Sequence, residues 1–469
     1  MHKISDAKID LIPKCAAFFM AVLTIMVCIL PMDDLPIWNG EIPAHRNQYE
    51  LMAEAILNGR IDFAYGDEAE LEVLENPYDP IAREESGVTY HWDHAYYNGH
   101  YYMYFGVVPV LLVFLPYRLV TGEALTTFHA TQLFTAVIIA GIVTLFWMLW
   151  KLFFRKMKLG AYLVLCVAFS VISVWNAAAE PALYCTAITA AIALEIWSIF
   201  FFIRAVYVEK RENRQILLAG VGALLGALVF GCRPPIGLAN IIVLPLLAVF
   251  VKEHSITPKL VGKLALAALP YLLVAVSLMT YNYVRFDNPL EFGQAYQLTI
   301  ADQSSYDLSV GTEDLLRILA WTVANFFLFA GVTDTFPYIE INGAFFNFPI
   351  FLACTLVMLS DIRKSAKRSK IWPILVGLVI SVLAINVIDI LWSPFLLERY
   401  RMDIYFLMGI LSFMVFGVAC EESQKPKLLS ALIYLLSAEA VVCACLLFVK
   451  TVGASYPERV TEIAKMLGL

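Results

Sequence analysis

The 469-residue chain is 60% hydrophobic and 16% charged, with a net charge of −7; an ordinary soluble domain has roughly 25% charged residues. Its apolar residues come in long runs rather than strand-like alternation, which excludes a soluble globular protein and an outer-membrane barrel and leaves an all-α polytopic membrane protein. No Walker sequence, Rossmann glycine pattern or zinc-ligand spacing occurs, so neither nucleotide chemistry on a soluble domain nor a nucleic-acid partner is expected.

The N-terminal stretch MHKISDAKIDLIPK leads into an apolar run that lacks a small-residue cleavage motif. Residues 1–31 therefore read as a tail and a retained first span at 13–31. Further runs place spans near 127–150, 159–176, 184–206, 216–231, 236–251, 262–283, 344–360, 372–391, 404–420 and 427–449. That makes about eleven transmembrane helices, most near the ~20 residues that a ~30 Å hydrocarbon core requires. All nine cysteines lie in or beside apolar runs, so no disulfide framework is expected.

Basic clusters fall at 3–14, 151–158, 204–214, 252–263, 363–370 and 425–427. Lys and Arg in short loops mark the cytoplasmic side, so an even number of crossings must separate each pair of clusters. On that ground Phe105–Val120 and Leu315–Ala330, both apolar, are expected to lie along the outer surface as interfacial or re-entrant helices. The N-terminus is then inside and the C-terminus outside. The extracytoplasmic parts are a first loop at 32–126, the loop around Glu180, the turn at Arg233, a second loop at 284–343 and the stretch 391–403. Spans 127–283 and 344–469 make up the rest.

The first loop is the organising segment. From Asp33 to Tyr104 it holds fifteen Asp and Glu against three Arg and no Lys, and its aromatics and its Asn-Pro and Asn-Gly steps argue for defined structure over disorder. His45–Arg60 has Tyr49, Met52, Ala53, Ile56 and Leu57 on one face at helical spacing, and predicts an amphipathic helix in the interface. Asp93 sits among His91, Trp92, His94, Tyr96 and Tyr97, fourteen residues after Asp79. An acid ringed by aromatics gains basicity and suits a general base, while His94 and Tyr97 are placed to contact a sugar ring; a turn cap with an interfacial aromatic belt is the plainer account. The His91, His94, His100 spacing is not a zinc signature. A divalent cation on Asp79, Asp93 or Glu180 rests on acid density alone.

Later in the chain, Glu180 (NAAAEPALYC) stands at a helix junction in apolar surroundings, where a carboxylate is a functional candidate or merely favours a helix N-terminus. Arg233, Arg285, Arg399 and Arg401 lie outside the cytoplasmic clusters. Their guanidinium forks match phosphate oxygens, or they form local ion pairs with Asp287, Glu291, Glu398 and Asp403. Glu195, Glu439 and Asp389 are scattered acids within spans, with no evident basic partner in a neighbouring one.

Taken together, NQYELMAEAILNG after the first span, YYNGHYYMYFGVVPVLLVFLP, the Arg-Pro step at Arg233 and the RYRMD stretch resemble the C-type glycosyltransferases. That group includes the protein O-mannosyltransferases and the aminoarabinose transferase of lipid A. The resemblance implies sugar transfer from a polyprenyl-phosphate carrier to a glycan, lipid or protein acceptor at the outer face of a bacterial cytoplasmic membrane. A first-loop carboxylate would act as base and arginines would hold the carrier phosphate. One departure is that the acids expected just before Tyr49 are His45 and Arg46 here, which leaves Asp93 first as base, with Asp79, Glu41 and Glu50 behind it. A flippase for a lipid-linked glycan, or a scaffold protein, would use the same architecture.

Overall fold

The computed structural model describes residues 2–30, 47–304, 311–392 and 397–469, with side chains from residue 11 onward. The chain is an all-α polytopic membrane protein, and among the described residues ten helices are long and apolar enough to cross a bilayer. Helix α1 (His2–Ile29) precedes a polar cap built from α2 (Gln48–Leu57), a 3-10 turn at Glu68–Val73, α3 (Pro80–Ser86), a hairpin of β1 (His94–Tyr97) and β2 (His100–Met103), and a π turn at Val110–Phe114 that continues as α4 (Leu115–Thr121). Next come α5 (Thr127–Phe153), α6 (Leu159–Ala179), α7 (Leu183–Tyr207), α8 (Glu212–Phe230), a 3-10 stretch Pro234–Ile242 running into α9 (Val243–Glu253), and α10 (Pro258–Phe286). A second polar segment carries α11 (Thr312–Phe327) and α12 (Ala344–Asn347), and leads through a 3-10 helix, Pro349–Met358, to α13 (Ser360–Arg368). α14 (Trp372–Trp392), α15 (Met402–Glu422), α16 (Pro426–Ser455) and α17 (Pro457–Met466) follow.

Helices α6, α7 and α15 are buried along nearly their whole length and form the centre of the bundle, with α5 and α16 against them. By contrast, α10 packs mainly on α8 and leaves most of its apolar surface exposed, as a lipid-facing helix does.

The span expected at 344–360 takes another form. Pro349 follows Phe348, which is pushed out of helical geometry at φ −133° and ψ 77°, and the chain continues as a 3-10 helix. At about 2 Å per residue such a helix covers more distance than an α-helix of equal length. Asn342 accepts a hydrogen bond from Arg401 at the start of α15, while Ser365 donates to Glu422 at its end, 2.7 Å away. The segment between them therefore runs the length of α15, roughly 30 Å, without being one of the ten long apolar helices.

The same contacts put the basic clusters at one end of the bundle. Arg368 pairs with Glu422 at 2.6 Å, Lys370 with Glu253 at 2.9 Å and Lys263 with Glu212 at 2.5 Å. Lys156 donates to the Glu421 carbonyl at 2.6 Å, and Lys14 lies over the Trp147 ring at 5.9 Å. The helices in the two segments expected along the outer surface are short: Val110–Thr121 has twelve residues, and α11 has sixteen with exposed Leu315, Leu316 and Leu319.

At the opposite end the cap folds over the bundle. The predicted amphipathic helix is α2, with Tyr49, Met52 and Ala53 buried and Tyr49 stacked on Phe114 at 5.2 Å; Leu57 is exposed instead. Glu41, His45 and Arg46 lie outside the described residues. The Asn-Gly step forms the hairpin tip, with Asn98 and Gly99 at φ 49° and 76°, the geometry that a two-residue hairpin turn requires. Bridges from Phe63 to Tyr101 and from Ala95 to Gln297 extend the hairpin on both edges.

Gly106 seats the cap. Val108 donates to the Gly231 carbonyl at 2.9 Å, and a Cβ at Gly106 would lie 2.2 Å from that oxygen and 2.6 Å from the Cys232 carbonyl. Both neighbours are backbone and cannot turn aside. Gly106→Ala is expected to destabilise by about 1–3 kcal/mol and to lower the thermal midpoint in detergent. Gly262→Ala, within α10 and with a Cβ that meets nothing within 4 Å, serves as the control that does not lower it, since alanine is the better helix former.

Candidate functional site

Asp93 immediately precedes β1 with φ 59°, a left-handed conformation that aspartate tolerates better than most residues. Its amide donates to the Leu298 carbonyl at 2.9 Å, and Gln48 Nε2 donates to its carbonyl at 3.0 Å. The carboxylate, 4% exposed, accepts hydrogen bonds from Gln297 Nε2 at 2.9 Å and from the Tyr184 hydroxyl. Gln303 Nε2 holds Gln297 in turn, at 3.0 Å. Over the Tyr184 ring, at 4.1 Å, lies the Arg399 guanidinium.

These groups line a cavity of about 90 Å³ together with Tyr104, Trp392 and Arg233. Burial pushes the Asp93 carboxyl up, and the Tyr184 hydroxyl, the Arg399 charge and the Gln297 amide pull it back only in part, so it stays above its ordinary range. Asp93 is thus a buried, pre-oriented carboxylate facing a cation.

Arg399 also lines a larger cleft of about 740 Å³, with Glu180, Glu398, Thr333, Thr335 and Lys450. Lys450 pairs with Glu340 at 2.9 Å. Glu180 immediately follows α6, its amide donating to the Asn176 carbonyl at 2.9 Å, and α7 begins only at Leu183. A carboxylate at a helix C-terminus gains nothing from the macrodipole, so that account of Glu180 does not fit its position.

The other arginines are already engaged. Arg233 Nε pairs with Asp403 at 2.6 Å, its guanidinium reaches Asp389 at 3.9 Å, and its charge lies over the Tyr400 ring at 4.5 Å. Asp403 was expected beside Arg399 and Arg401, and Asp389 without a basic partner; the turn after α8 brings Arg233 to both. Arg285, 4% exposed, donates to the Met103 carbonyl at 2.8 Å and to Asn282 at 2.9 Å, and packs on the Tyr281 ring at 3.9 Å. Among the described residues it forms no ion pair. With Arg233 it borders a cavity of about 60 Å³ that shares Tyr104, Phe105 and Trp392 with the Asp93 cavity. Arg401 donates to the Asn342 carbonyl and lines neither the Asp93 cavity nor the cleft.

Three expected site residues serve the cap instead. Asp79 is the N-cap of α3 and accepts from the Ile81 amide at 2.9 Å. His94, 1% exposed, contacts the Tyr65 hydroxyl at 2.9 Å and the Trp92 carbonyl at 2.9 Å. Tyr97 donates to Asp287 at 3.3 Å and packs on Tyr296 at 4.5 Å. His91 and His100 pair with Asp67 and Asp62. Asp79, Asp93 and Glu180 do not converge, and among the described residues no group of three or more His, Cys, Asp or Glu is arranged to hold a metal ion.

Glu50 has a separate task. It accepts from the Thr127 amide at 3.1 Å at the start of α5, and burial, only partly opposed by that bond, pushes its carboxyl up to about 7. Between about 4.3, where the unfolded carboxyl titrates, and about 7, the folded protein keeps a proton that the unfolded chain has released. Stability is therefore expected to fall as pH rises through that window. Wild type should melt lower at about pH 7.5 than at about pH 5.5, and Glu50→Gln should flatten the difference; a variant that keeps the wild-type slope would assign it to another group.

Tyr184, Gln297 and Gln303 carried no signal of their own in the sequence. Tyr184 lies four residues beyond Glu180, so the flagged stretch did contain it. Comparison of the chain with family models, with curated proteins and with solved structures gave no match.

Proposed function

We propose that this chain is a glycosyltransferase of the bacterial cytoplasmic membrane, moving a sugar from a polyprenyl-phosphate carrier to an extracytoplasmic acceptor. The observation that carries the reading is that Asp93 and Arg399, far apart in sequence, face one cavity across the Tyr184 ring. By the positive-inside bias the basic end of the bundle is cytoplasmic and this cavity opens outside. Asp93 takes the proton of the acceptor hydroxyl as its oxygen bonds to the anomeric carbon. The bond from that carbon to the carrier phosphate breaks, and its electron pair leaves on the phosphate oxygen, where Arg399 meets the added charge. The larger cleft, with acids, threonines and Lys450 in its wall, has room for a sugar-bearing acceptor.

A flippase for a lipid-linked glycan is the second reading, and the cluster of half-buried Arg233 with buried Asp389 and Asp403 favours it, since paired charges within spans mark transport pathways. The two part in one assay, using purified protein in lipid with radiolabelled polyprenyl-phosphate sugars and a membrane-extract acceptor pool. Transfer by wild type is expected, with Arg399→Ala losing about a hundredfold or more at an unchanged thermal midpoint. Carrier translocation without transfer would sink the enzyme reading.

A further inference from the structure

At the end of the bundle away from these cavities, the loops before α8 and α10 enclose a cleft of about 480 Å³. Its wall carries Arg211, Arg214, Lys259 and Lys263 against a single acid, Glu212. Lys263 takes up Glu212 at 2.5 Å. The nearby Glu209 is turned onto the amides of Lys210 and Arg211, 2.9 Å from each. Arg211, Arg214 and Lys259 are exposed and form no ion pair among the described residues. The first turns of α8 and α10 meet here as well, and helix N-termini add partial positive charge, although in α10 Pro258 has no amide and Thr257 already accepts from the Leu260 amide at 3.1 Å. Just beyond the cleft, Leu217, Val261 and Leu266 are exposed on the two helices, an apolar surface continuous with a basic one.

We propose that this cleft binds the phosphate headgroup of an anionic phospholipid, whose acyl chains lie along α8 and α10. The consequence is mechanical: α10 packs mainly on α8, and a headgroup bridging both N-termini ties the pair together. At their far ends the same helices carry Arg233, just past α8, and Arg285. The site is independent of the glycosyltransferase reading.

Three arms test it with the whole chain in nanodiscs or detergent. The first measures retention of phosphatidylglycerol against phosphatidylcholine by native mass spectrometry; the second repeats it with Arg211→Gln, Arg214→Gln and Lys259→Gln combined, all solvent-exposed changes; the third adds inorganic phosphate alone. Each cation near an anionic surface contributes about fivefold, so the triple variant should bind phosphatidylglycerol about a hundredfold more weakly while its phosphatidylcholine retention and thermal midpoint without lipid stay unchanged. Retention that ignores headgroup charge, or that survives the triple change, overturns the site. If inorganic phosphate displaces phosphatidylglycerol at equal concentration, the ligand is a free anion and the lipid assignment fails.

Discussion

Asp93→Asn is expected to lower sugar transfer by about 10²–10⁴, the range for loss of a positioned general base, with the fold intact because the amide fills the same space. The pH profile gives a sharper test. A base must be ionised to act, so the wild-type rate should rise with pH along a limb above the ordinary carboxylate value of about 3.9. Tyr184 donates to the Asp93 carboxylate and so favours its charged form. Tyr184→Phe removes that bond and should move the limb to higher pH, leaving part of the plateau rate. An unmoved limb, or an Asp93→Asn variant that keeps more than about a tenth of the rate, would give the base role to another acid.

The second large effect is on stability. Arg233→Met leaves Asp403, fully buried, and Asp389 without their cation, and removing one partner of a buried pair costs about 3–5 kcal/mol. Adding Asp403→Asn should recover a large part of that loss, because the uncompensated charge goes with it. A double-mutant cycle on thermal midpoints in detergent should therefore show a coupling of about 0.5–3 kcal/mol. Strict additivity would mean that the contact contributes little. Set beside Arg399→Ala, which should lose turnover and keep its midpoint, the pair separates an arginine whose charge is taken up by Asp403 and Asp389 from one stacked on Tyr184 in the wall of the same cavity.

How far the sequence could be read follows from the range of each signal. The long helices are local matters of length and apolarity, and they stand where hydropathy placed them. Parity of the basic clusters set Phe105–Val120 and Leu315–Ala330 apart from the spans, and the helices found there, Val110–Thr121 and α11, are shorter than the ten long apolar ones. What escaped were pairings over distance. Tyr184 meets Asp93 across 91 positions and Gln297 meets it across 204, and no periodicity marks either. Arg233 was singled out, but its partners could be found only once the turn after α8 met α14 and α15. Asp79 and His94 show the opposite difficulty: polar groups in an aromatic loop look alike in sequence whether they hold a turn, as these two do here, or face a substrate. The 3-10 form of Pro349–Met358 reflects the proline, which was visible, and packing on α15, which was not.

The bridge between Ala95 and Gln297 also has a bearing on how the protein is made. That edge of the hairpin is filled by a bridging segment that the ribosome delivers some 200 residues later, about ten to forty seconds at usual elongation rates. During that interval an aromatic β-edge is already outside the bilayer with its amides and carbonyls unsatisfied, which is the situation that invites pairing with other chains. A nascent chain stalled after α7 should therefore be the form most prone to aggregate or to recruit a chaperone, and release should coincide with emergence of α10 and the residues that follow it.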